Sequence, residues 1–167
     1  NTFKDLSEHK PGRHMKHKLR LNIIKRMIQT TKLLIWIIGI TFIAIEAREV
    51  FELRQFSNIA FFAITLALAS YQIASADTLY EHSKPLSARA YQSSLTMYLA
   101  SILSALDAAL DQAISDFHAN IGTSFLLTPV FILSWLLTSS AAIISIRSLC
   151  SFLDIFPTAL ARKQKWE

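Results

Sequence analysis

Four long apolar stretches, joined by connectors too short to hold a soluble domain, constrain this chain more than any other feature. They are LLIWIIGITFIAIEAREVF (Leu33–Phe51), FSNIAFFAITLALASYQIASA (Phe56–Ala76), YQSSLTMYLASILSALDAALDQAI (Tyr91–Ile114) and IGTSFLLTPVFILSWLLTSSAAIISI (Ile121–Ile146). A helix needs about 20 mostly apolar residues to cross about 30 Å of hydrocarbon, and each stretch meets or nearly meets that requirement. In lipid the backbone must satisfy its own hydrogen bonds, which leaves helices and closed barrels. Three glycines and four prolines in 167 residues are too few for the turns of a barrel. The sequence predicts an all-α integral membrane protein with four transmembrane helices, over about 33–53, 56–77, 90–115 and 121–147. A basic segment, 1–32, precedes the bundle, and a basic tail, 148–167, follows it. Charged residues make up 17% of the chain, against about 25% in soluble domains, which argues against an ordinary globular class.

Spans one and three are the weaker of the four. The uncharged core of span one runs only from Leu33 to Ile45, and span three carries Asp107 and Asp111. The distribution of positive charge supports both. Lys and Arg number nine in residues 1–32, two in 77–90 and four in 147–167, but two in 46–55 and none in 107–120. Four spans put the rich segments on one side of the membrane and the poor ones on the other, which is the asymmetry that orients multi-span proteins. The expectation is both termini cytoplasmic, in a plasma or inner membrane. Trp36, Tyr80 and Tyr91 then fall near the inner interface, where amphipathic rings favour the headgroups. Lys32 and Arg147 flank the spans and can snorkel to phosphate. Pro129 reads as a kink in span four.

The basic inner segments predict surface contacts. In MKHKLRLNIIKRMIQTTK (Met15–Lys32), Leu19, Ile23 and Met27 recur every four residues, with Ile24 and Ile28 beside them. Lys16, Lys18, Arg20, Lys25 and Arg26 supply charge. This pattern is a basic amphipathic helix lying on the membrane surface, or an inward extension of span one. Its partners are an anionic inner leaflet, to which each Lys or Arg contributes about 1 kcal/mol, or an acidic cytoplasmic protein. In the tail, Phe152, Phe156 and Leu160 precede Arg162, Lys163 and Lys165, and Pro157 interrupts the pattern. A basic tail without a recognisable module is weak evidence for nucleic acid, and none is expected.

Little in the chain carries catalytic chemistry. There is no G-x-S-x-G, H-E-x-x-H, C-x-x-C or phosphate-binding P-loop pattern. His9, His14, His17, His82 and His118 all lie outside the span cores, so no axial haem ligand is expected. His14 and His17 are three apart but lack carboxylate or thiolate companions, and neither metal nor another cofactor is expected. The single cysteine, Cys150, forms no intrachain disulfide and reads as a buried or lipid-facing thiol, or as an acylation site. The chain begins at Asn1 and its first thirty residues lack the apolar core of a signal peptide, so trimming or a preceding part is expected.

The acidic ends of spans one and three form the most informative constellation. Asp107 and Asp111 are four apart and share a helix face with Ala100, Ser104 and Ser115. Span two carries a small-residue stripe, Ala60, Ala63, Ala67, Ser70 and Ala74. Small residues at this spacing let membrane helices approach closely, so the aspartates are expected to face the bundle or an oligomer interface. Span one ends with Glu46, Arg48 and Glu49, and Arg48 can pair with Glu52 or reach Asp107. In one reading this is a structural ion-pair network; in the other, the surplus carboxylates form a cation-attracting outer mouth. The sequence thus points to a non-enzymatic multi-pass subunit that oligomerises or anchors a soluble partner or larger complex at the membrane. The alternative is a small oligomeric cation channel or transporter.

Overall fold

The computed structural model describes residues 11–46, 51–81, 83–121 and 127–163, with side chains placed over 22–44, 57–81, 83–116 and 129–159. The described residues are all helix apart from short turns. They form α1 (Pro11–Glu46), α2 (Phe51–Tyr80), α3 (Lys84–Ile121), α4 (Leu127–Leu153) and α5 (Ile155–Lys163). Four segments are long and apolar enough to cross a membrane: Asn22–Ala44 in α1, Ser57–Tyr80 in α2, Lys84–Asp116 in α3, and Pro129–Ala159, which runs through α4 into α5.

The helices run further than the apolar stretches because polar residues do not stop a helix; only a cap or a breaker does. The basic segment from Pro11 is continuous with span one in α1. Between α2 and α3 the turn is tight. Ser83 N–H donates to the Leu79 carbonyl (2.7 Å), and the Ser83 carbonyl accepts from Leu86 (3.1 Å) and Ser87 (3.0 Å). Ser83 is therefore the N-cap of α3, and Pro85 falls in the first turn, where its missing N–H costs nothing.

Pro129 is the third described residue of α4, and the residues just before Leu127 lie outside the described ones, as does the expected kink. Pro157 lies in the first turn of α5, and the break falls before it, at Asp154. A proline ring clashes with the carbonyl four residues earlier. For Pro157 that is Leu153, the last residue of α4.

The core is a three-helix seam with α3 at its centre, packed on one side by α2 and on the other by α4. Buried positions on α2 are Asn58, Thr65, Ala69, Gln72 and Ala76. On α4 they include Ser134, Thr138, Ala141, Ser145, Ser148 and Phe152, alternating four and three apart. That is the period of helices crossing at a shallow angle with interlocking side chains. The residues filling the seam are small or hydroxylated; Met97 is the largest fully buried side chain among the described residues. Lipid tails are as apolar as leucine and do not drive apolar helices together, so close backbone approach and polar contacts must hold the seam. Several hydroxyls satisfy themselves on their own helix, as Thr65 does on the Phe61 carbonyl (2.9 Å) and Ser145 on Ala141 (2.8 Å).

At the end holding the α2–α3 turn, α5 folds back to close the seam. Phe152 and Ile155 pack against Ala76, Leu86 and Ala90, with Leu79 and Ala159 at the margin. Phe152 meets Tyr71 and Phe156 edge-on, at 6.1 and 5.6 Å between ring centroids.

α1 stands apart from this core and leans chiefly on α4. The two helices lie close at Gly39, where a Cβ would overlap Ile146 Cδ1 and lie 2.9 Å from Cγ1. Phe42 stacks on Phe61 of α2 at 5.1 Å. Lys32 Nζ meets Asp154 Oδ1 at 2.5 Å, an exposed pair of about 0–1 kcal/mol. Gly39→Leu is therefore expected to detach α1 while leaving the three-helix seam folded, whereas Gly39→Ala asks only Ile146 to change rotamer. Spin labels at Ile40→Cys and Ile143→Cys in a Cys150→Ser background would read this. The distance distribution should broaden in Gly39→Leu and stay single in Gly39→Ala.

Candidate functional site

The carboxylates of α3 lie inside the seam. Asp107 is 0% exposed and Asp111 is 1% exposed, within the stretch of α3 apolar enough to cross a membrane. An aspartate at the centre of a membrane helix costs about 2.5–3.5 kcal/mol to insert, so each must find compensation inside the protein. Here the two neighbouring helices supply donors. From α2, the Asn58 amide donates to Oδ2 of Asp107 (2.9 Å) and to Oδ2 of Asp111 (2.9 Å). From α4, Ser134 Oγ lies 2.5 Å from Asp107 Oδ1 and 2.8 Å from Asp111 Oδ1, and Thr138 Oγ1 bonds Asp107 Oδ2. Ser104 on α3 donates to the Asn58 backbone carbonyl (3.0 Å) and fixes the height of α2 against α3. Hydrogen bonds to a charged group contribute about 1.5–3 kcal/mol each, enough to offset the cost of burial.

Two features of this cluster concern its chemistry. Ser134 has one hydroxyl proton and two carboxylate neighbours, so it serves one at a time. Asn58, itself fully buried, turns both N–H groups to the aspartates, while its Oδ1 has no hydrogen-bond partner. The polar groups are oxygens plus one amide nitrogen. No group of three His, Cys, Asp or Glu suited to a metal forms among the described residues.

A second polar layer lies further along the same seam. Ser93 and Ser148 each donate to the other's backbone carbonyl, at 2.8 and 2.7 Å, which clasps α3 to α4. Ser148 Oγ also lies 3.4 Å from Gln72 Oε1. Gln72 Nε2 and the hydroxyls of Ser87 and Ser139 have no partner.

The residues singled out from the sequence separate into three groups. Asp107, Asp111, Ala100 and Ser104 meet in the seam, while Ser115 is exposed. On α2, the stripe expected to pack lies on the wrong side for the intrachain seam: Ala63, Ala67, Ser70 and Ala74 are exposed and Ala60 is half-buried. The buried face is displaced by two residues, as Ala69 against Ala67 illustrates, which is about 200° around a helix. The aspartates favour this rotation, because it turns the Asn58 donors to them. Lys25 and Arg26 are exposed on α1. The side chains of Lys16, Lys18, Arg20, Glu46, Arg162 and Lys163, and the whole of Arg48, Glu49 and Lys165, lie outside the described residues. The expected pairing of Arg48 with Asp107 falls there too.

Asn58, Ser134 and Thr138 were not singled out from the sequence. A signal for Asn58 exists: Asn58, Thr65 and Gln72 are the polar residues of span two at an unbroken seven-residue interval. Polar side chains in lipid face inward, so this row outranks a row of alanines in choosing the packed face.

No protein family, curated protein or solved structure matches the chain.

Substitution of paired positions on α2 and α3 separates seam from surface. Ala69→Leu should destabilise by about 1–3 kcal/mol through overpacking, and Ala67→Leu by less than about 0.5 kcal/mol. Asp107→Ala strands the Asn58 and Thr138 donors and should cost about 1–3 kcal/mol for each buried group left unsatisfied. Reversible unfolding in mixed micelles, followed by circular dichroism, measures all three.

Proposed function

We propose that the chain is a non-enzymatic multi-pass membrane subunit that associates laterally with copies of itself or with other membrane subunits. One observation carries the reading: α1 is a full-length span that hardly packs on its own chain. Only 6% of its apolar window is buried, against 39% for α3. Leu33, Leu34, Ile37, Ile38 and Ile40 are all exposed. Such a helix is stable in lipid by itself, so its weak attachment costs the fold little and leaves its faces available to another helix.

The outward stripe of α2 supports the same reading. Ala63, Ala67, Ser70 and Ala74 alternate four and three apart on the exposed side, a surface on which a second helix can approach to backbone distance. The basic residues of α1, among them the exposed Lys25 and Arg26, suit an anionic lipid surface or an acidic soluble partner.

A second reading, a small cation channel or transporter, is favoured by a different observation. Two buried carboxylates sit in the seam of one chain, contacted from α2 and from α4. Asp107 and Asp111 are enclosed, so this reading concerns an occluded intramembrane site more than an open acidic mouth.

Native mass spectrometry of protein released from membranes in mild detergent tests the first reading. The expected result is a defined oligomer or complex, shifted towards the monomer by Ala67→Leu with Ser70→Leu; a monomer carrying no other subunit sinks it. Sodium flux into proteoliposomes tests the second. Flux that disappears in Asp111→Asn makes the chain a transporter, and wild-type vesicles no leakier than empty ones remove that reading.

A further inference from the structure

We infer that the basic N-terminal part of α1 stands clear of the membrane and docks a soluble protein whose acidic surface surrounds an apolar groove. The inference rests on the reading of the chain as a membrane subunit and names the chemistry of its soluble partner.

The register of α1 against α4 shows how far α1 projects. Gly39 meets Ile146, and Lys32 meets Asp154, which follows the last residue of α4, Leu153. The two helices therefore run antiparallel in one register, and Lys32 lies level with the end of α4. With 27 residues, α4 is about 40 Å long and already exceeds the hydrocarbon thickness of about 30 Å. From Lys32 back to Pro11, α1 continues for about 32 Å beyond that end. No proline or glycine lies between Gly12 and Gly39, so the usual causes of a kink are missing. A helix unbroken from Pro11 to Glu46 that crosses the bilayer does not also lie flat on its surface.

Charge chooses the partner. Arg13, Lys16, Lys18, Arg20, Lys25, Arg26 and Lys32 all fall in α1, which holds no acidic residue before Glu46. Lys32 meets Asp154, whereas Lys25 and Arg26 are exposed and form no ion pair among the described residues. Arg13 belongs to the first turn, where positive charge opposes the helix dipole, and Lys16 and Arg20 are four apart, where like charges repel. An acidic partner relieves both. The anionic leaflet is a poor substitute. Arg20 lies about 18 Å along the helix from Lys32, and Lys16 about 24 Å. Salt screens such charges over about 8 Å.

The apolar residues narrow the partner further. Leu19, Ile23 and Met27 recur every four residues, and Ile23 and Met27 are exposed. An apolar row beside basic residues is how a helix enters an apolar groove with an acidic rim. Nucleic acid fits less well, because single strands are held by stacking, and no Phe, Tyr or Trp occurs between Pro11 and Trp36.

Two experiments on the full chain test this. The first places a spin label at Leu19→Cys, in a Cys150→Ser background, in vesicles containing phosphatidylserine. The expected result is stronger relaxation by a water-soluble nickel chelate than by oxygen; the reverse lays the apolar row in lipid and overturns the proposal. The second measures binding of a fluorescent amphipathic peptide of glutamate and leucine to the protein in phosphatidylcholine nanodiscs, with empty nanodiscs as baseline. Binding should weaken by at least about tenfold in Lys16→Glu with Arg20→Glu. Lys25, Arg26 and Lys32 remain in that variant to orient the span. The same variant should bind the matching lysine–leucine peptide, which shows that it is folded. Leu19→Ala should weaken the glutamate–leucine peptide as well. Equal binding by wild type and either variant overturns the proposal, as does tighter binding of an oligouridylate of equal charge. A defined oligomer that binds no peptide removes the docking helix and keeps the subunit reading. A monomer that binds the peptide keeps the docking helix and removes lateral association.

Discussion

The hydrogen bonds that Asp107 and Asp111 receive from neighbouring helices govern the rest of this structure. Water does not drive membrane helices together, so helix positions must be chosen by contacts that lipid cannot provide. Two aspartates in an apolar stretch are the strongest such demand in the chain. Asn58 on α2 and Ser134 with Thr138 on α4 answer it, and in doing so set the rotation and height of both helices against α3. A shift of α2 by one residue would turn Asn58 about 100° away and leave the carboxylates without its donors. The Ser93–Ser148 clasp and Gln72 repeat the logic near the other end, with Gln72 about 21 Å along α2 from Asn58. Between the two layers, alanine and serine permit the close approach that both require.

This arrangement divides the chain into a tightly packed part and a loosely attached one. α2, α3 and α4 share polar anchors, whereas α1 is joined to them among the described residues by the Gly39–Ile146 contact, the Phe42–Phe61 stack and the exposed Lys32–Asp154 pair. The division suits a subunit whose core is self-sufficient and whose peripheral span faces lipid or another helix. The cluster that locks the core also places two carboxyl groups where water does not reach.

Much of the fold was legible in the sequence, since the number and type of spans follow from apolar length alone. Boundaries were less so. Pro157 looks like an interruption when read within a hydrophobic pattern, but it sits in the first turn of a helix, where a missing N–H costs nothing. The burial of Asp107 and Asp111 followed from their spacing and from the cost of a charge in lipid. The face of α2 that meets them did not. Ala60, Ala63, Ala67, Ser70 and Ala74 satisfy the small-residue rule as well as the buried face does, and the rule does not say which of two small faces is used.

By itself the sequence determined that this chain is helical, that four of its helices are long and apolar enough to cross a membrane, and that its charges cluster at particular ends and faces. These are properties of composition and period, which a chain carries before any two helices meet. Only the tertiary structure decided which helices are neighbours, which face of α2 turns inward, and that Asn58, Ser134 and Thr138 converge on Asp107 and Asp111. Those outcomes depend on groups far apart in the chain satisfying one another at a distance of about 3 Å. No local pattern encodes such a pairing, because a donor and its acceptor are matched in space and not along the sequence.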